Sequence, residues 1–354
     1  MKERKKLRIG ITHGDINGIG CEVILKSLND ARILELFTPV IYSSPKVIAY
    51  YRKALSLNNL NTHSVRTADE AHDERINVVN CLNDEVRVEM GKSTQQGGEA
   101  ALASLRAAVA EIKNGWLDAL VTAPINKYNI QSERFRFPGH TEYLQSEFGA
   151  GNVLMLMLSN SLRMGILTSH APLAQVPALV TSEKIMSALR LINRTMLEDF
   201  NINRPRIAVL SLNPHAGENG LLGEEEQTKI IPAIERVKND GILAFGPFAS
   251  DGFFGSDSYR NYDVVLAMYH DQGMTAFKTL CFENGVNYTA GLPIVRTSPA
   301  HGTAYDLVGK DTASTEPFRQ ALYAACDIAT NRKQYRSLKA NAMKDVEIKQ
   351  TGDE

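Results

Sequence analysis

The stretch Leu7-Arg8-Ile9-Gly10-Ile11-Thr12-His13-Gly14-Asp15-Ile16-Asn17-Gly18-Ile19-Gly20 decides the fold class. Its first six residues read as a short apolar strand, the glycines turn the chain, and a helix follows from about residue 22 to 28. Strand, glycine turn and helix in succession open an α/β unit. The amides of residues 14–20 and the dipole of the following helix are able to meet an anion. The loop is neither a dinucleotide fingerprint nor a Walker loop, so a tight turn made possible by glycine is the competing reading.

The same alternation continues along the chain. Leu102, Leu105, Val109 and Ile112 recur at helical spacing, Gly115 supplies a stop, and residues 119–122 form the next strand. Two apolar runs, 152–158 and 163–168, are joined by Ser159-Asn160-Ser161 and predict a hairpin inside an otherwise parallel sheet. A helix with Ile185, Leu189, Ile192 and Met196 on one face precedes a strand at 207–212, and a further strand covers 264–269. No repeat or Pro/Ser-rich linker divides the chain, and the Lys-, Asp- and Glu-rich last ten or so residues read as a frayed end.

Composition narrows the function classes. With 354 residues and 44% hydrophobic content the chain can bury a large core in one large or two medium domains. A net charge of −1, acids and bases interspersed, argues against nucleic acid as a partner. The basic lead-in of Lys2, Arg4, Lys5, Lys6 and Arg8 is not followed by an apolar segment, because His13, Asp15 and Asn17 interrupt it. No run of about 18 apolar residues is available to span a membrane. Cys21, Cys81, Cys281 and Cys326 are too scattered for a disulfide scaffold or a CxxC pair, which suits reduced, buried thiols in a reducing, cytoplasmic compartment.

Three histidines stand just past strand ends: His170 after Thr168, His215 after Leu212, and His270 directly after Tyr269. Loops at the carboxyl ends of strands gather side chains around ligand crevices in open α/β sheets, so the three are able to converge. Imidazole is a common ligand of divalent ions, and three protein ligands with an open position describe a catalytic metal site. Each histidine taken singly is as readily a packed, hydrogen-bonded residue. A second group, His140, Thr141, Lys278, Asn287 and Arg296, offers cations and hydrogen-bonding groups for phosphate or carboxylate, although a lone Lys or Arg is more often a surface charge. Asp251 and Asp271 are candidates for proton removal, with orientation of a histidine as the alternative.

These segments together resemble the 4-hydroxythreonine-4-phosphate dehydrogenase family. The resemblance runs from about Leu7 to about Lys310 and rests on Gly14-Asp15 with Gly18-Ile19-Gly20, Thr122-Ala123-Pro124-Ile125-Asn126-Lys127, Pro138-Gly139-His140-Thr141-Glu142 and the three histidine segments. Gly246-Pro247 with Asp251, Gly285-Val286-Asn287, Gly291-Leu292-Pro293, Arg296-Thr297-Ser298 and His301-Gly302-Thr303-Ala304 extend it. One departure is visible. The family's first loop reads Gly-Asp-Pro-Ala-Gly-Ile-Gly-Pro, and here Ile16, Asn17 and Cys21 stand in place of the Pro, Ala and Pro. A second is a longer stretch over residues 56–75, read as a surface elaboration.

What the resemblance implies is specific. Metal ligands fall on His170, His215 and His270; substrate contacts fall on His140, Thr141, Lys278, Asn287 and Arg296; the catalytic group is sought among Asp251, Asp271 and Lys278. A nicotinamide cofactor, NAD or NADP, falls near His301, Gly302 and Thr303. The implied ion is divalent, with zinc leading and cobalt, nickel, magnesium or manganese also compatible. The implied fold is a two-domain α/β/α arrangement like that of isocitrate and isopropylmalate dehydrogenases, with mostly parallel mixed sheets. Residues 1–130 and 285–354 would bind the cofactor, and 131–284 would carry substrate, metal and dimer contacts. The active site would lie at a homodimer interface. The implied reaction is oxidation of 4-phosphohydroxy-L-threonine to 2-amino-3-oxo-4-phosphohydroxybutanoate, which decarboxylates to 3-amino-2-oxopropyl phosphate, in pyridoxal 5'-phosphate biosynthesis. A 4-phospho-D-threonate or 4-phospho-D-erythronate dehydrogenase is the nearest alternative, and a non-catalytic metal- or ligand-binding homologue is the alternative of another class.

Overall fold

The computed structural model describes residues 6–341; the basic residues Lys2, Arg4 and Lys5 and the charged C-terminal stretch lie outside the described residues. Twelve strands form one continuous sheet. In chain order they are β1 (Leu7–Thr12), β2 (Phe37–Ser43), β3 (Thr62–Val65), β4 (Ile76–Asn80), β5 (Ala119–Thr122) and β6 (Leu154–Leu158), then β7 (Arg163–Thr168), β8 (Ile207–Leu210), β9 (Ala244–Phe248), β10 (Val264–Tyr269), β11 (Val286–Ala290) and β12 (Val295–Pro299). Their spatial order is β3-β4-β2-β1-β5-β12-β11-β6-β7-β10-β8-β9.

Pairing is parallel except at the centre, where β11 runs antiparallel to both β12 and β6, and β6 antiparallel to β7. The hairpin expected around Ser159–Asn160–Ser161 is the β6–β7 pair. The three antiparallel steps leave β7, β8 and β10 pointing opposite to β5 and β12. Two parallel halves of opposite polarity are thus spliced into one sheet.

Helices cover both faces, as the near-continuous burial of parallel strands requires. Every residue of β2 and β5 is buried. The helix Gln95–Lys113 starts where the Thr94 side chain accepts from the Gly97 N–H and buries Leu102, Leu105, Val109 and Ile112. The helix Ser182–Phe200, capped likewise by Thr181, buries Ile185, Leu189, Ile192 and Met196 and ends at Asn201 in the left-handed region. Each such aliphatic side chain contributes roughly 1.5–3 kcal/mol by leaving water.

One buried ionic knot ties the long helices to the sheet. Tyr288 of β11 donates to Asp199, which also receives the Arg332 guanidinium, and Arg332 reaches the Tyr288 hydroxyl at 2.8 Å. Asp199 belongs to the helix Ser182–Phe200 and Arg332 to the helix Glu316–Ala340, so both dock on the back of β11. Loss of one partner would strand a buried charge.

The first loop is a structural junction. Residues 9–25 are buried throughout. Gly14 has φ +70°, and a Cβ there would lie 2.2 Å from the Pro124 carbonyl oxygen, so only glycine fits. Asp15 accepts from the Asn17 amide at 2.9 Å, from Asn129 at 2.7 Å and from the Tyr305 hydroxyl at 2.7 Å. The departures from the family pattern are absorbed here: Ile16 is core, Asn17 bonds Thr94 and the Glu89 amide, and Cys21 is buried. All four cysteines are free, and burial pushes the Cys21 and Cys81 thiols up to about 12. In the 56–75 elaboration, β3 adds an outer strand beside β4. No described helix is long and apolar enough to cross a membrane.

His13, fully buried, has its imidazole pKa lowered to about 4 by burial, against a hydrogen bond to the Gly14 carbonyl. The unfolded chain takes up this proton below about 6.5 and the folded one only near 4, so the contribution is complete above pH 6.5 and lost as pH falls towards 4. The span corresponds to about 3 kcal/mol. Denaturant titrations across that window should show a shallower decline for His13→Gln than for the parent; parallel declines would contradict this.

Candidate active site

The splice at the sheet centre fixes the floor of the site. Register places Arg296 opposite Leu120 on one side, and pairs Asn287 with Ser298 and with Met157, so strand alternation turns Arg296, Ser298, Asn287, Thr289, Met155 and Met157 to one face. A cavity of about 310 Å³ stands over that face. Its walls bring together His140, Thr141, Glu142, His170, His270, Lys278, His301 and Gly302 with the segment 122–125 and Lys127.

The helix His140–Glu147 begins at the cavity, with Gly139 extended before it, so the free amides and positive end of that helix face the same space as His140 and Thr141. The helix His270–Cys281 also starts there and presents Lys278 two turns on. Gln272 fixes its start by accepting from the Met268 amide at 2.7 Å and donating to the Ser211 carbonyl at 2.6 Å and Ser250 at 2.7 Å.

Arg296 is 3% exposed. Its Nε and Nη2 donate to the Thr122 hydroxyl and its Nη1 to Thr289, which holds the guanidinium flat and leaves the rest of its fork for an anion. Burial lowers its pKa to about 10, opposed by Glu142, so it remains a cation at neutral pH. His140 is held well below 6.5 by burial and then by Arg296 and Lys127, so it is neutral. Burial also lowers His301.

Four polar atoms lining this cavity are buried with no hydrogen-bond partner among the described residues: His140 Nε2, Glu142 Oε2, Asn287 Oδ1 and His301 Nε2. Buried polar groups are ordinarily satisfied, so four orphans around one space mark a binding site for a polar ligand.

The two histidines on the wall share a second feature. His170 Nδ1 lies 3.2 Å from Glu142 Oε1, and His270 Nδ1 lies 2.7 Å from Asp271 Oδ1. A carboxylate only accepts, so each Nδ1 carries a proton, and in the neutral imidazole each Nε2 presents a lone pair. Carboxylate-oriented imidazoles are the donors a divalent ion takes, and these two residues fit such an ion. The same bond to His170 is the main cause holding the Glu142 carboxyl below its usual range.

The other expectations separate here. The three histidines do not converge within one chain: His215 does not line the cavity, and among the described residues no three His, Cys, Asp or Glu side chains gather as a metal would need. His215 lies instead in residues 215–219, which all have left-handed φ between 42° and 78°, a conformation that costs about 1–2 kcal/mol for each non-glycine residue. Asp251 is exposed in the short helix Ser250–Gly255, outside the cavity, and Asp271 orients His270 rather than facing the ligand space. Thr303 does not line the cavity and accepts the Ile19 amide at 3.0 Å. Residues 14–20 do not line this cavity, and the bonds of Gly18 to the Asp15 carbonyl and of Asn17 to the Asp15 side chain are those of a tight turn. Glu142, Lys127 and Thr122 are site residues to which sequence reasoning assigned no role. Their signal was membership of the segments 138–142 and 122–127.

The chain matches the family described as pyridoxal phosphate biosynthetic protein PdxA over residues 35–325. A relative from Bacteroides thetaiotaomicron, named 4-hydroxythreonine-4-phosphate dehydrogenase, is 53% identical over 343 residues, covering 97% of this chain and 94% of its own. One of the same name from Aquifex aeolicus is 42% identical, covering 89% and 96%. The crystal structure of 4-hydroxythreonine-4-phosphate dehydrogenase from Klebsiella pneumoniae superposes with a TM-score of 0.80 at 33% identity, over 93% of this chain and 99% of that one.

The charge arrangement generates a prediction. Imidazole NMR of the ligand-free protein should show His140 without a titration midpoint between about pH 6 and 8. In Arg296→Met the midpoint should move up; a normal midpoint near 6.5 in the parent would refute the burial argument. Matched by the family model over residues 35–325 and by a 53% identical relative over 97% of its length, the chain belongs to the PdxA family.

Proposed function

We propose that this protein is a 4-hydroxythreonine-4-phosphate dehydrogenase, oxidising 4-phosphohydroxy-L-threonine with a nicotinamide cofactor in pyridoxal phosphate biosynthesis. The observation that carries the reading is the cavity itself. A buried guanidinium, a helix start and a lysine supply anion-binding charge, and two carboxylate-oriented imidazoles stand on the same wall. Its size suits a small phosphorylated acid.

When bound, a divalent ion would stabilise negative charge on the substrate's C3 oxygen and on the enolate left by decarboxylation, and the nicotinamide would accept the hydride. The chain's residues bind and orient. Arg296 and Lys278 pair with phosphate or carboxylate oxygens, Thr141 adds a neutral hydrogen bond, and Asn287 and His140 direct their unpaired atoms at the remaining polar groups. His170 and His270 would hold the ion, and His215 would complete the set across a homodimer. Zinc suits three imidazoles best, and cobalt and nickel also suit them. NAD, or NADP, would lie against His301 and Gly302, with residues 1–130 and 285–354 forming the cofactor side and 131–284 the substrate and dimer side. The site lies in a protein whose thiols are free, Cys21 and Cys281 buried and Cys81 and Cys326 half-buried, in keeping with a cytoplasmic enzyme.

The purified protein with NAD and 4-phosphohydroxy-L-threonine should produce NADH, and should do so faster than with 4-phospho-D-threonate. His215→Ala should remain a folded dimer and lose roughly 100-fold or more in kcat/KM, equivalent to about 3 kcal/mol. Faster turnover of the threonate would overturn the substrate assignment, and undiminished turnover in the variant would overturn the metal set.

A further inference from the structure

The left-handed run at His215 needs something to hold it, and the structure supplies one buried carboxylate. Glu226 is 0% exposed. Its Oε1 accepts the backbone N–H groups of Leu212 and Asn213, each at 2.8 Å, and its Oε2 accepts the Asn213 side-chain amide at 3.0 Å. Asn213 is held on two further sides: its amide also reaches Glu225 at 2.8 Å, and its carbonyl accepts the Ser211 hydroxyl at 2.9 Å. The chain is therefore immobilised two residues before His215.

Glu226 also touches the run itself. A Cβ on Gly217, whose φ is +78°, would lie 2.6 Å from Glu226 Oε2, so the carboxylate packs directly beneath the turn. It projects there from a π-helical turn, Glu226–Ile230, at the head of the helix Ile231–Asn239. Such wide turns re-aim side chains and recur at functional sites. Among the described residues His215 has no side-chain hydrogen bond to a carboxylate, unlike His170 and His270, each oriented through Nδ1. Its direction must come from the backbone.

We infer that Glu226 is the positioning residue of His215: by clamping the 212–213 backbone and packing beneath Gly217 it enforces the left-handed turn that aims the imidazole, as Glu142 and Asp271 aim the other two by direct contact. The inference rests on the reading of His215 as a metal ligand.

Cobalt(II) titration of the full-length apo-dimer, read by visible absorption and chelator competition, tests it. Glu226→Gln keeps the shape but turns an amide NH₂ or loses an acceptor towards Asn213, so cobalt affinity should fall roughly 10- to 100-fold. NADH turnover should recover at saturating cobalt with KM for NAD unchanged. Gly217→Ala, which leaves the carboxylate intact but presses on it, should shift affinity in the same direction. Denaturation midpoints of the metal-free proteins are measured alongside: a midpoint lowered with parental cobalt affinity would mean a merely structural role and overturn the proposal. Should Glu226→Gln fail to fold, parental affinity in Gly217→Ala overturns it equally. His215→Ala separates the two readings. If it binds cobalt like the parent, the metal set itself fails; if it loses cobalt while Glu226→Gln retains it, only the positioning role fails.

Discussion

The antiparallel pairing of β11 with both β12 and β6 is the constraint on which the rest depends. A wholly parallel sheet would put every strand's carboxyl end at one edge and its ligand crevice there. Reversal at the centre instead joins two parallel halves head to tail and exposes a polar strip, Arg296, Ser298, Asn287 and Thr289, on one face of the middle strands. Loops from both halves then close over that strip. The back of β11 carries Tyr288, locked to Asp199 and Arg332, so the strand that lines the cavity is fastened from behind.

Charge in the cavity is arranged by depth. Arg296 at the bottom stays cationic despite burial, because two threonine hydroxyls and the nearby Glu142 compensate for lost water. Burial, and after it that fixed cation, suppresses protonation of His140 beside it. His170 and His270, nearer the rim, are about half exposed and are governed by their carboxylates. One side chain, Glu142, belongs to both layers: one oxygen holds His170 and the other is an orphan of the interior.

Much of this was legible in the sequence, and the failures have physical reasons. Apolar runs with uniform burial, as in β5 and β10, and long amphipathic helices announce themselves because their periodicity is set by burial alone. β11 did not, since Val286-Asn287-Tyr288-Thr289-Ala290 alternates polar with apolar residues as a solvated strand or loop would, when its polar face in fact lines a cavity and its Tyr288 hydroxyl enters a buried ionic knot. Placement past strand ends identified His170 and His270 as neighbours. It failed to bring in His215, because the direction taken after β8 is set by a left-handed turn and by a glutamate eleven residues further on, which local spacing does not encode. Asp15 carries no mark of its role in the sequence: a buried carboxylate serving Asn129 and Tyr305 is indistinguishable there from one serving a substrate.

That carboxylate also bears on the order of synthesis. Its partner Tyr305 lies 290 positions later in the chain, Thr303 supplies the carbonyl met by the Ile19 amide, and β12 must slide in beside β5. A nascent chain on the ribosome can form β1, β2, β4 and β5 early and give Asp15 its bonds from Asn17 and Asn129, but its first loop lacks the Tyr305 hydroxyl and the Thr303 carbonyl until the last sixth of the polypeptide emerges. Translation to nearly full length therefore precedes closure of the N-terminal core, and the half-made protein is the form most exposed to chaperones and proteases.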